Sequence, residues 1–193
     1  MRKLSLMLVF CVLLLATGAA FGQGGDVAIG FGTVIAPSAS SASGSYSPQT
    51  MGGGLYPAFS VDFLVHHRLG LEGEIAWRGG QNLYQGYEPF RPILYNFNAI
   101  WAPRLGKKVG AELLAGIGAE SIRFYGFESC SFVSCTDYVS SNHFSADFGG
   151  GLKYYVHGHI FVRPEARFYV IRNNYEFSSA FATRVGASIG YSF

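Results

Sequence analysis

At 193 residues the chain is the size of a single domain, with 13% charged residues, 16% aromatics and 26 glycines. Charged residues stand at roughly half their usual share, which argues against an ordinary solvated surface. The formal net charge of +2 offers no basic patch of the kind nucleic acid requires.

Residues 1–22 read as a secretory signal peptide and residues 23–193 as the mature domain. Arg2 and Lys3 give the positive start, Leu4 to Leu15 the apolar stretch, and Ala20-Phe21-Gly22 a small-x-small cleavage site. The apolar stretch is too short to span a bilayer as a helix. Removing Arg2 and Lys3 leaves the basic residues balanced by the 12 acidic ones.

No other stretch is apolar enough for a spanning helix. Instead, period-2 alternation recurs, which places successive side chains on opposite faces of a strand. Asp26 to Ala36 puts Val27, Ile29, Phe31 and Ile35 on one face, and Ala28, Gly30 and Gly32 on the other. Gly54 to Val65 sets Leu55, Phe59, Val61 and Phe63 against Tyr56, Ala58, Ser60 and Asp62. Leu69 to Arg78 sets Leu69, Leu71, Ile75 and Trp77 against Glu72, Glu74, Ala76 and Arg78. Arg91 to Ala102 opposes Ile93, Tyr95, Phe97 and Trp101 to Asn96 and Asn98.

Val109 to Ile122 opposes Leu113, Ala115 and Ile117 to Glu112, Gly116, Gly118 and Glu120. His143 to Val156 opposes Phe144, Phe148 and Leu152 to Ser145, Asp147, Gly149, Gly151 and Lys153. Ile160 to Ile171 opposes Val162, Ala166, Phe168 and Val170 to Arg163, Glu165, Arg167 and Tyr169. Phe181 to Phe193 opposes Val185, Ala187, Ile189, Tyr191 and Phe193 to Arg184, Gly186, Ser188 and Gly190. Pro57, Pro92 and Pro164 cannot donate to a ladder and are predicted to mark strand ends or bulges.

The connections 66–68, 103–108 and 157–159 are short, whereas 37–53, 79–90, 124–142 and 172–180 are mostly longer. The first long one, SASSASGSYSPQT, is Ser- and Gly-rich and predicted to be mobile. Eight alternating strands, alternating short and long connections, a signal peptide and the ending Tyr191-Ser192-Phe193 together resemble the small outer-membrane β-barrels of diderm bacteria. OmpA's membrane domain and OmpX are members of that family. The resemblance implies an all-β, eight-stranded, antiparallel up-and-down transmembrane barrel, placed in the outer membrane and monomeric. It also implies contact with outer-membrane lipid and lipopolysaccharide, and an assembly signal at Tyr191 and Phe193 read by the outer-membrane assembly machinery.

A soluble eight-stranded barrel of lipocalin type would turn the apolar face inward. Glycine favours the opposite arrangement. Gly30, Gly32, Gly116, Gly118, Gly149, Gly151, Gly186 and Gly190 all share the polar face, and a narrow interior needs them where a solvent face does not.

The inward charges are then Asp62, Glu72, Glu74, Glu112, Glu120, Asp147 and Glu165 against Arg78, Arg91, Lys153, Arg163, Arg167 and Arg184. An interior this narrow must pair them, which predicts a charge network plugging the lumen; a narrow channel for small solutes or ions is the alternative. Cys130 and Cys135 lie in the longest outer loop of an oxidising compartment, which predicts a disulfide. His66-His67 and His157-x-His159 fall in separate turns and predict no shared metal site.

His143-x-Ser145 resembles the pair of outer-membrane lipid A deacylases, but the Glu expected about a dozen residues later is replaced by the Lys153–His157 region. No catalytic residues, metal or cofactor are predicted. The expected role is structural, or surface interaction through the outer loops, with lipid A modification as a further alternative.

Overall fold

The computed structural model describes residues 24–37, 50–130, 135–174, 176–177 and 179–193. The signal peptide expected over residues 1–22 and most of the Ser/Gly-rich first loop lie outside the described residues. In chain order the strands are β1 (Gly24–Ile35), β2 (Tyr56–His66), β3 (Leu69–Trp77), β4 (Asn82–Tyr84), β5 (Glu88–Trp101), β6 (Val109–Cys130), β7 (Cys135–His157), β8 (Ile160–Ile171) and β9 (Phe181–Ser192).

Consecutive strands pair antiparallel except β3 and β4, and two further contacts close the sheet. β1 pairs with β9, and β3 pairs directly with β5. All the strands but β4 therefore form one closed, eight-stranded up-and-down wall. A closed wall leaves no unpaired sheet edge.

The additional strand comes from the connection 79–90, which the sequence suggested was a loop. Positive φ at Gln85 and Gly86 (51° and 82°) turns the chain, so that Asn82–Tyr84 pairs back onto Glu88–Phe90. The connection 124–142 is also largely strand. The β6–β7 ladder continues past Tyr125↔Tyr138 to Cys130↔Cys135, with a register shift between Tyr125 and Ser129 where Gly126 has φ 102°. The bulge breaks the alternation on which the sequence reading relied, so the strand pattern is hidden there.

Pro57 sits at the start of β2, as expected, whereas Pro92 and Pro164 lie inside their strands. Pro57 and Pro92 lie one position past the last β3 pairings, Ala58↔Ala76 and Trp77↔Ile93. Pro164 lies inside β8, still in register with Ala187 of β9. The β7 pairing, however, is interrupted from Gly151↔Glu165 to Tyr154↔Val162. The missing N–H is absorbed as a gap in one ladder, with no strand end.

The two faces of the wall have opposite chemistry. Phe31, Phe97, Ile117, Phe148, Leu152 and Ile189 are all more than half exposed. The alternate positions, Glu72, Glu112, Ser145, Arg163 and Arg167, are at most 1% exposed. This is apolar outside and polar within, the reverse of a soluble barrel. Glycine makes the inner side passable. A Cβ on Gly118 would stand 2.1 Å from the Tyr95 carbonyl oxygen, and one on Gly149 would stand 2.3 Å from that of Ala166.

The apolar core sits at the long-loop end of the lumen. Tyr56, Leu94, Ile122 and Tyr169 from the wall enclose Met51 and Phe177 from the loops, all with no exposure. Phe90 and Phe177 pack at 4.9 Å between ring centroids, and Tyr84 on β4 meets Phe177 edge-on at 5.5 Å. The loop end is thus stoppered by side chains folded into it.

Candidate functional site: the lumen charge network

Below the apolar stopper, the inward parity of seven strands brings charged side chains together. Near the turn end, Lys153 on β7 reaches Asp26 of β1 at 2.5 Å and Asp62 of β2 at 3.2 Å, and contacts Glu112 of β6. Asp26, Asp62 and Glu112 have carboxylate oxygens within 4.8 Å of one another, close enough to surround a cation. The Lys153 ammonium occupies that position.

Arg163 on β8 takes the next level. It contacts Glu112, lies 3.1 Å from Glu165 and 3.3 Å from Asp62, and donates to Ser60 Oγ at 3.0 Å and Ser188 Oγ at 3.2 Å. Arg167 is completely buried. It donates to both Glu72 oxygens at 2.6 and 2.9 Å, and its Nη2 lies 3.0 Å from Glu74. The fork geometry of guanidinium suits such two-point pairing with a carboxylate. Arg184 on β9 completes the stack, with Nη2 at 2.5 Å from Glu74 and 2.9 Å from Glu165. Asn96 and Asn98 on β5 donate amide protons to Glu74 and Glu72 at 3.3 and 2.9 Å.

Asp62, Glu72, Glu74, Glu112, Lys153, Arg163, Glu165, Arg167 and Arg184 are therefore joined by ion pairs. Other residues expected among them stand elsewhere. Arg78 is at the loop end, 3.5 Å from the Gly52 carbonyl oxygen. Glu120 accepts from Asn174 Nδ2 at 3.0 Å, under the stopper. Asp147 is buried on the inner face with no Lys or Arg within ion-pair distance among the described residues. Arg91 is a correction to the inward set. It shares the parity of Ile93 and Tyr95, faces outward and packs over the Tyr125 ring. Asp26 was overlooked, although its parity with Ala28 and Gly30 in β1 marks it as inward.

His143 and Ser145 both face the interior. His143 Nε2 lies 3.0 Å from Glu176 and 3.1 Å from Ser141 Oγ, while Ser145 Oγ has no hydrogen-bond partner. The pair is not coupled as base and nucleophile. Cys130 and Cys135 are facing partners on the last rung of the β6–β7 hairpin. Tyr191 and Phe193 are 51% and 47% exposed on the outer wall at the turn end, with Tyr191 beside His159 at 5.6 Å between ring centroids. His66, His67, His157 and His159 are exposed at two separate turns.

A closed antiparallel wall, apolar without and ion-paired within, is the architecture of a barrel dissolved in lipid. The sequence matches the family model for the outer membrane protein beta-barrel domain over residues 5–193. The chain belongs to that family. This outer-membrane barrel is similar in fold to the Ail attachment invasion locus protein of Yersinia pestis, at 15% identity and a TM-score of 0.57, covering 90% of this chain and 100% of that one. It is also similar to the N-terminal β-barrel domain of Pseudomonas aeruginosa OprF, at 15% identity and a TM-score of 0.56, covering 89% and 100%. Neisserial surface protein A gives 10% identity and a TM-score of 0.57, covering 88% and 96%. No curated protein matches the sequence. The protein is thus an outer-membrane protein of a diderm bacterium, and by the rule for such barrels its short turns face the periplasm and its long loops the exterior.

Proposed function

We propose that the protein is a sealed outer-membrane barrel that acts through its external end by surface interaction and conducts no solute. The observation that carries this reading is the filling of the lumen. Charged residues from seven strands neutralise one another across it, and Met51, Phe90 and Phe177 close the mouth above them. An eight-stranded barrel has room for side chains and little else. A filled lumen leaves the external surface, dominated by the protruding β6–β7 hairpin, as the working part.

The narrow-channel alternative would need the Arg167–Glu72 and Arg184–Glu74 pairs to separate, at the cost of exposing buried charges. The lipid A-modifying alternative would need His143 and Ser145 to reach acyl chains outside, and both point inward. The closed sheet supports a monomer. Tyr191 and Phe193, exposed at the end of the last strand, are suited to recognition by the assembly machinery. The Cys130–Cys135 rung is suited to a disulfide that pins the hairpin tip.

Planar-bilayer recording on the refolded protein tests the sealed reading. The expected trace is the unmodified bilayer baseline; discrete, reproducible openings would overturn it. Shortening the β6–β7 hairpin to the Tyr125–Tyr138 rung should leave the heat-modifiable barrel intact while removing binding to its external partner.

A further inference from the structure

Arg91 of β5 and Arg123 of β6 are direct cross-strand partners on the outer face of the wall. Like charges set opposite each other destabilise a sheet unless something negative lies between them. No carboxylate lies within ion-pair distance of either among the described residues. Each guanidinium instead lies over a tyrosine, Arg91 at 5.9 Å from the Tyr125 centroid and Arg123 at 4.7 Å from that of Tyr138. Tyr125 and Tyr138 are themselves cross-strand partners one rung further out. The Nε atoms of both arginines are buried and have no hydrogen-bond acceptor.

Their height in the membrane supplies the missing partner. Arg91 stands ten positions before Trp101, which marks the turn end of β5. Ten residues at ~3.3 Å each, tilted by roughly 40°, rise about 25 Å, the height of the apolar band of such barrels. The two arginines therefore lie where the external headgroups begin. Two guanidinium groups carry the charge that a phosphate monoester, at about −1.5 to −2, neutralises, and guanidinium offers it two parallel donors.

We propose that Arg91 and Arg123, backed by Tyr125 and Tyr138, form a binding site on the outer wall for the phosphate monoester of an outer-leaflet lipid. This rests on the membrane placement of the barrel and not on its being sealed.

The test is retention of lipid by the detergent-purified, folded protein, read by native mass spectrometry. The probes are lipid A bearing its phosphates, enzymatically dephosphorylated lipid A, phosphatidylglycerol as a phosphodiester, and inorganic phosphate as competitor. The wild type should retain phosphorylated lipid A at least tenfold better than either other lipid. R91Q/R123Q should lose that preference while binding dephosphorylated lipid A as the wild type does. R91K/R123K should keep part of the preference. The single variants R91Q and R123Q provide the reading if the double variant does not fold, and each should lose part of the preference. Equal retention of phosphorylated and dephosphorylated lipid by the wild type would overturn the proposal, as would unchanged preference in the glutamine variants. Displacement by inorganic phosphate at the same concentration as lipid A would also overturn it, because the site would then take a free anion and not a lipid.

Discussion

Arg167→Met is the sharpest probe of how the lumen is held together. Arg167 is wholly buried and faces three acids, with Glu72 at 2.6 and 2.9 Å, Glu74 at 3.0 Å and Glu165 at 3.6 Å. After substitution, Glu74 and Glu165 keep Arg184, but Glu72 retains only the Asn98 amide and Arg163 at 3.9 Å. Removing one partner of a buried pair costs about 3–5 kcal/mol, whereas removing both is close to neutral. Arg167→Met should therefore destabilise by roughly 3–5 kcal/mol, and adding Glu72→Gln should recover about 2 kcal/mol or more of that loss as coupling energy. Urea unfolding in lipid vesicles measures both, using the fluorescence of Trp77 and Trp101, the two tryptophans of the chain. Raising salt to about 0.5 M should leave the difference intact, since buried pairs are poorly screened. A cost below about 1 kcal/mol, or costs that simply add in the double variant, would refute the reasoning.

Other expectations follow from the two faces and the hairpin. Ile117→Arg, on the lipid side at mid-strand, should cost ~2–4 kcal/mol in the same unfolding assay. Gly118→Ala should impair folding, because the new methyl would meet the Tyr95 carbonyl oxygen at 2.1 Å, while Gly73→Ala, with nothing within 4 Å of its added Cβ, should be tolerated. Heat-modifiable gel mobility separates these two outcomes. Cys130 and Cys135 should resist alkylation until reduced, and replacing both with Ser should leave the barrel folded, because a short closed loop gains little from a cross-link. Alkylation of both thiols without reductant would count against the bridge.

Much of this architecture was legible because the strand period is two and, below the apolar core, the inner face is rich in glycine and paired charge. Ile160–Ile171 shows this best: its bounds and parity in the sequence are those of β8. Legibility failed where the period was interrupted or shared. Gly126 and the following bulge hid the outer part of the β6–β7 hairpin, and the positive φ of Gln85 hid β4. Arg91 was misplaced because a charge was assumed to point inward, when its parity with Ile93 already put it outside. Arg78 and Glu120 do have inward parity, but each meets a loop residue, Gly52 and Asn174, and neither joins the ion pairs. No sequence pattern announced that Met51 and Phe177 would fold back from their loops to fill the mouth.

The position of Arg184 has a consequence for how the protein reaches its final form. It lies on β9, which closes the ring against β1, yet its guanidinium bonds Glu74 of β3, well around the wall, as well as Glu165 of the neighbouring β8. Lys153 likewise joins β7 to β1 and β2 across the interior. An open sheet cannot make these contacts, because strands early and late in the chain must first face each other. Until the ends meet, carboxylates such as Glu74 and Asp62 lack the cations that permit their burial in a membrane. Half-closed intermediates should therefore be penalised and the last seam rewarded, which favours insertion and closure as one late, concerted event.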